Sequence, residues 1–346
     1  MDDGAGLSGW DTGISSSCEP DAMAEPHKRA RRHPKYKTAY RVRIWPAYDR
    51  ALRDRGDVTL WISEASMAAW RSPPSGRRGG QQKYSDLAIQ TALTLRLLFH
   101  LPLRQTEGFL SSIFRLAGLN LPVPDHTTLS RRNQTLKVDD PVRDLPAGPT
   151  TLIVDSTGLK ICGQGEWHSK KHGEKYRRKW KKLHIGVDEA GWIHTNSLTD
   201  GHIQDPTVVP ELLASVDGPL QRFVADGMYD NATVHDALAE HQDGVAIEIV
   251  VPPRRNAVPL PSAQSRPTQR DIHIATIQSE GIFEWRRASG YYDQSHVENA
   301  FYRYKAIIGG HLRAKRADSQ QREAQLGCAI LNRFRELGQP VSVPIK

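Results

Sequence analysis

Two aspartates stand in the same local setting. Asp155 follows the apolar run Leu-Ile-Val and Asp226 follows Phe-Val-Ala. Short continuous apolar runs of this kind are expected of strands buried on both faces. A carboxylate leaving the end of such a strand is desolvated on one side and open on the other. That is a costly place for an unpaired charge, and a metal cation is one partner that stabilises it. Taken singly, each is equally well a turn or helix-cap aspartate; the matching positions suggest a shared task. A third acid, Glu298, lies in a segment predicted to be helical over 292–308. At 100° per residue, Tyr291, Gln294, Glu298 and Lys305 fall within about 60° of one another. One stripe then presents an acid flanked by an amide, a phenol and an ammonium group. The acid suits a metal site and Lys305 and Tyr291 suit phosphates, while the plain alternative is a surface helix.

The charge around these acids is strongly positive. The 346 residues carry a formal net charge of +8, with a pI near 9.4, as expected of a protein that meets a polyanion. Residues 164–182 hold eight lysines and arginines against Glu166 and Glu174. Trp167, Tyr176 and Trp180 interleave with them, so phosphate contacts and stacking planes come together, Lys179, Lys181, Lys182 and Trp180 among them. Residues 28–43 contain eight basic side chains in sixteen and no acid, either a solvated arm or one that tracks DNA phosphates. A membrane partner is disfavoured, because no run approaches 18 apolar residues. The first residues show no basic and apolar secretory pattern. Cys18, Cys162 and Cys328 lie far apart, which fits a reducing cytoplasm and no structural zinc site. Neither a Gly-x-Ser-x-Gly elbow nor a Gly-rich phosphate loop is present, so ATP is not implied.

The elements that must position the acids follow from periodicity. Residues 1–25 are expected to be a disordered leader. Helices are predicted over 46–70 and 84–117, broken near Pro102. Asp125 is a plausible N-cap for a short polar helix that carries Thr127, Ser130, Arg131 and Arg132. Helix, turn and polar helix suggest a helix-turn-helix-like reader of DNA, against the alternative of an ordinary surface helix. From residue 150 the pattern turns to strands: 151–154, a hairpin of 183–187 with 192–198, then 222–225 and 246–251. Helices are expected at 206–215, 231–241, 271–287, 292–308 and 317–336, with 252–270, which contains five prolines and four arginines, an irregular loop. The fold class is α/β, a mixed sheet with flanking helices.

Several of these segments together resemble one family. Val-Asp-Ser-Thr-Gly-Leu-Lys at 154–160 is similar to its first aspartate motif, and Ala-Asp-Gly-Met-Tyr-Asp at 225–230 to its second. Gly-Glu-Trp-His at 165–168, Lys-His-Gly at 171–173 and Arg-Lys-Trp-Lys-Lys-Leu-His at 178–184 are similar to the basic stretch between them. Tyr291, Glu298 and Lys305 fit a Tyr-x2-Arg-x3-Glu-x6-Lys signature, with Gln294 in the arginine place. Over residues 36–337 the chain resembles the bacterial insertion-sequence transposases of the Asp-Asp-Glu class, in the "IS five" branch. The resemblance implies a ribonuclease H-like catalytic domain over 148–337, preceded by an all-helical DNA-binding domain over 26–140 and followed by a tail at 338–346. It implies a cytoplasmic, nucleoid-associated protein that binds terminal inverted repeats and target DNA and assembles as a homo-oligomer on paired ends. Asp155, Asp226 and Glu298 would hold two Mg²⁺ (or Mn²⁺) ions about 3.5 to 4 Å apart for cleavage and 3′-hydroxyl joining. The rivals are a nuclease of the same fold without strand transfer and a DNA-binding descendant whose chemistry has lapsed.

Overall fold

A computed structural model describes residues 40–74, 76, 78–138, 150–161, 180–216, 218–241 and 246–345. The expected leader, most of the basic arm and Lys179 with the rest of 162–179 lie outside the described residues. One small unit, which takes in residues up to 45 and from 340, contains strand β1 (Tyr40–Val42) paired antiparallel with β8 (Ser342–Pro344). The other spans Pro46–Gln339 and holds everything below.

Its first half is helical: α1 (Trp45–Asp54), α2 (Glu64–Ala68), α3 (Asp86–Leu98), α4 (Leu103–Leu116) and α5 (His126–Arg132). Helix α3 starts where the Ser85 hydroxyl accepts the Ala88 N–H at 3.1 Å, and Asp86 in its first turn complements the helix dipole. Ala88, Ile89, Ala92, Leu93, Leu95 and Leu97 are all buried. With Thr91, Thr94 and Arg96 buried as well, α3 is a core helix rather than a surface one. It stops at His100, whose φ of 56° is left-handed, two residues before Pro102.

The second half is a sheet with helices against it. Strands β2 (Thr150–Ile161), β3 (Trp180–Val187), β4 (Ile193–Asp200), β5 (Leu220–Ala225) and β6 (Glu248–Val250) lie in the order β4-β3-β2-β5-β6, and β7 (His311–Leu312) adds to β2. β4, β3 and β2 are antiparallel, whereas β2, β5 and β6 are parallel. An antiparallel meander continued by two parallel strands is the ribonuclease H-like arrangement. Helices α6 (Val209–Leu213), α7 (Ala232–His241), α8 (Gln269–Glu280), α9 (Ile282–Ala288), α10 (Ser295–Ile307) and α11 (Ala317–Glu336) complete the unit. The single helix expected over 271–287 is two, broken at Gly281 with φ 87°. Much of 252–270 is irregular, as expected, with one 3-10 turn at Pro261–Gln264.

Alternation along β2 sends side chains to two cores. Leu152 and Val154 join a cluster with Val209, Leu212 and Phe223. Ile153 and Leu159 join the other, which runs on without a gap through Ile89, Leu93, Leu97, Leu129, Phe301 and Ile330. The early helices and the sheet therefore share one apolar core. Helix α11 lies across β4, where the Asn332 side chain accepts the Ile193 N–H at 2.9 Å and donates to the Ile193 carbonyl at 2.8 Å. Gly327 lets α10 approach α11, since a Cβ there would stand 2.5 Å from the Tyr304 ring.

A candidate active site of carboxylates

β2 and β5 run side by side with Val154 opposite Ala225, so the next residues, Asp155 and Asp226, are neighbours across the pair. β5 stops there because Asp226 caps the following 3-10 turn, its Oδ1 accepting the Met228 N–H at 2.8 Å. β2 does not stop. The expectation that Asp155 ends its strand is corrected: residues 156–161 continue the ladder, with Ser156 opposite His184 and Gly158 opposite Lys182. Pairing with β3 outweighs the turn preference of Ser-Thr-Gly. Asp155 thus sits within a strand at the point where its parallel neighbour has ended, and its Oδ1 accepts the adjacent Ser156 N–H at 2.7 Å.

The carboxyl of Asp155 is pushed up to about 6, first by burial and then by the charges of Asp226, Asp205 and Glu298, against the Ser156 N–H that favours the anion. Asp226 is raised as well, by burial and then by Asp205. Asp205 is the acid that sequence reasoning missed. It opens a 3-10 turn, Asp205–Val208, and accepts from the Lys182 ammonium at 2.8 Å. The ring of His184 approaches it at 4.0 Å and is held at 2.8 Å from the Thr199 hydroxyl. Burial pushes His184 down to about 4, so its ring is neutral near pH 7. Lys182 and His184, two apart on β3, share a face of the strand; that Asp205 meets them is a tertiary fact. The Tyr229 hydroxyl, buried and without a hydrogen-bond partner, is raised by burial and then by Asp205, Asp155 and Asp226.

Glu298 arrives from α10, but the expected stripe is only partly formed. α10 begins at Ser295, while Tyr291–Gln294 is a 3-10 turn entered through Gly290 at φ 66°. A Cβ on Gly290 would stand 2.6 Å from the Arg222 guanidinium, which is anchored on Asp293 at 2.6 Å. This change of helix type turns Gln294 inward, where its amide donates to the Val154 carbonyl at 3.3 Å and the side chain is buried. It does not stand beside Glu298 on the surface. Tyr291 is partly buried between Trp285 and Arg286, at 5.6 Å from each. Burial raises its phenol, with Asp226 adding to the effect. Glu298 and Lys305 are both exposed, two turns apart. Among the described residues, no three His, Cys, Asp or Glu side chains stand close enough to enclose an ion.

The residues expected at DNA are differently placed. Trp180 is exposed, with the Lys160 ammonium 5.7 Å above its ring. Lys181 pairs with Asp200 at 2.9 Å, and Lys182 is held by Asp205. Arg131 is exposed. Arg132 donates to the Tyr84 carbonyl at 2.9 Å and pairs with Asp86, tying α5 to the start of α3. Asp125 caps α5 as expected, accepting the Thr127 and Thr128 N–H groups at 2.8 Å. The α4–α5 connection, residues 117–125, exceeds the roughly 3–4-residue turn of a helix-turn-helix. Among the described residues no helix is long and apolar enough to cross a membrane.

Among solved structures, the Drosophila P element transposase strand transfer complex is 12% identical, over 85% of this chain and 86% of that one, with a TM-score of 0.29. The Mos1 mariner paired end complex with Mn is 10% identical, over 81% and 86%, with a TM-score of 0.20. Neither superposition is close enough to transfer detail. One family model described as a transposase DDE domain matches residues 53–164. A second with the same description matches residues 146–333, more than half of the chain and inclusive of Asp155, Asp226 and Glu298. The chain belongs to the transposases with a DDE domain, enzymes that act on DNA.

Proposed function

We propose that Asp155, Asp226 and Glu298 form a single site that cleaves the ends of a mobile DNA element and then joins the freed 3′-hydroxyls to target DNA. Asp155 carries the reading. It is partly buried where β5 stops beside it, and its carboxyl is pushed up to about 6 by burial and by Asp226, Asp205 and Glu298. Acids crowded so that ionisation is resisted suit a hard divalent cation, because the ion favours the form that burial disfavours. Oxygen donors of this kind fit Mg²⁺ or Mn²⁺, which Asp155, Asp226 and Glu298 would hold. Glu298, exposed on α10, is the acid with most freedom to adjust. When bound, such ions lower the pKa of the attacking water or hydroxyl and offset charge on the departing 3′-oxygen.

The chain's own residues align the DNA. Gln294 fixes the Val154 carbonyl, and with it the backbone from which Asp155 projects. Tyr291 presents a phenol steadied by Trp285 and Arg286, a donor for a phosphate oxygen. Lys305 meets the backbone two turns beyond Glu298. Water and a 3′-hydroxyl attack in line through the same arrangement, so no protein nucleophile is required. Arg131 and Trp180, both exposed, contact flanking DNA, and assembly on paired ends as a homo-oligomer belongs to the same proposal. The test incubates the full chain and Mg²⁺ or Mn²⁺ with duplexes of the DNA flanking its coding segment and a plasmid target. Joined products that vanish with Glu298→Ala are expected; cuts without joined products would reduce the activity to that of a nuclease.

A further inference from the structure

Away from the carboxylates, three arginines from separate elements meet with little negative charge among them. Arg55 follows α1, Arg303 lies on α10 and Arg335 is in the last turn of α11. Arg55 donates to the Gly338 carbonyl at 2.8 Å, and its guanidinium stands 5.7 Å from the Phe334 ring and 5.9 Å from that of Tyr48. Arg335 stands 5.9 Å from the Trp192 ring. Gly191 keeps its place open, since a Cβ there would be 2.8 Å from Arg335 Nη1. Trp192 follows the β3–β4 turn, at the opposite end of β3 from Lys182. Arg303 is five residues beyond Glu298 on α10, about 140° around the helix from it.

All three are partly buried, and each keeps one buried guanidinium nitrogen without a hydrogen-bond partner: Arg55 Nε, Arg303 Nη2 and Arg335 Nε. Among the described residues none of the three is ion-paired. Burial lowers Arg303, and the charge of Arg55 lowers it further. Arg335 is lowered to about 10 by burial and then by Arg303, with Asp188 offsetting part of the shift. Asp188 is itself held by the Trp192 N–H at 2.8 Å and the His194 ring at 3.0 Å. Like charges crowded partly out of water oppose folding unless an anion answers them, while the stacked rings hold the guanidinium planes in place. We propose that Arg55, Arg303 and Arg335 form an anion site that takes a phosphate group, free or in a nucleic-acid backbone. Guanidinium groups match phosphate oxygens with paired, charge-assisted hydrogen bonds. The site stands independently of the reading of Asp155, Asp226 and Glu298.

The test melts the full chain in EDTA, so that no metal bridges an anion to the carboxylates, with chloride replaced by pyrophosphate at fixed ionic strength. The parent's midpoint should rise with pyrophosphate, as for any ligand of the folded state. Arg303→Gln and Arg335→Gln should each bind pyrophosphate about tenfold or more weakly, the order of one hydrogen bond to a charged group. In chloride alone, where the repulsion is unanswered, neither should melt below the parent. Arg115→Gln, which removes an exposed charge on α4, should keep the parent's response. Should the glutamine variants fold poorly, Arg335→Lys keeps the charge but not the paired geometry, and it should still weaken pyrophosphate binding. Duplex binding separates the two sources. An affinity that falls in Arg303→Gln and Arg335→Gln, but not in Arg115→Gln, assigns the phosphate to a DNA backbone; unchanged affinity assigns it to a free phosphate compound. A parent that pyrophosphate does not stabilise overturns the site. So do variants that melt below the parent by the same margin in both salts, which would make the arginines structural.

Discussion

Asp155 shows how burial sets the chemistry of a single side chain. Its carboxyl titrates near 6 in the folded protein and near 3.9 in an unfolded chain. Between these values the folded state keeps a proton that the unfolded state has released. Stability contributed by protonated Asp155 is therefore full below about pH 4 and is lost as pH rises through 6. In metal-free buffer, Asp155→Asn should remove this loss and gain on the order of 2 kcal/mol over the parent between pH 4 and 7, once partial exposure is discounted. Denaturant melts across that range check it; parallel curves for the two proteins would contradict it. At this scale the sequence was informative about identity and poor about surroundings. Asp155 and Asp226 were legible as a matched pair, because each follows a short apolar run. Asp205 was not, since its influence comes from a turn packed beside both.

Elements were legible where their signals are local. The Asp125 cap and the β3–β4 hairpin follow from side chains within a few residues. Two misreadings have the opposite origin. The length of β2 depends on β3, and the inward turn of Gln294 depends on Gly290 making room for Arg222. Helix α11 shows the energetic side of such contacts. Asn332 satisfies both backbone groups of Ile193 on the edge strand β4. Asn332→Ala leaves a buried donor and acceptor unmatched, at about 1–3 kcal/mol each. A loss of about 2–6 kcal/mol in unfolding free energy is expected, and a loss under about 1 kcal/mol would mean that β4 finds other partners.

At the scale of the whole molecule, the charge of +8 is a statement about partners rather than fold. DNA held through 6 to 10 phosphates should lose about 10³ to 10⁵ in affinity between 50 and 200 mM salt. Binding isotherms at several salt concentrations check this, and a flat dependence would mean that the basic side chains do not carry the contact. The shared core that runs from α3 to α11 makes the early helices part of the scaffold that holds the acids. The central claim is that Asp155, Asp226 and Glu298 are one site serving both steps. The most direct test measures joining of pre-cut end duplexes, which bypasses cleavage, for Asp155→Ala, Glu298→Ala and the double variant. Residues that act as a unit are strongly non-additive. The account predicts that each single variant abolishes joining as fully as it abolishes cleavage, and that the double is no worse than either single. A variant that keeps joining while losing cleavage, or single losses that multiply in the double, would contradict it.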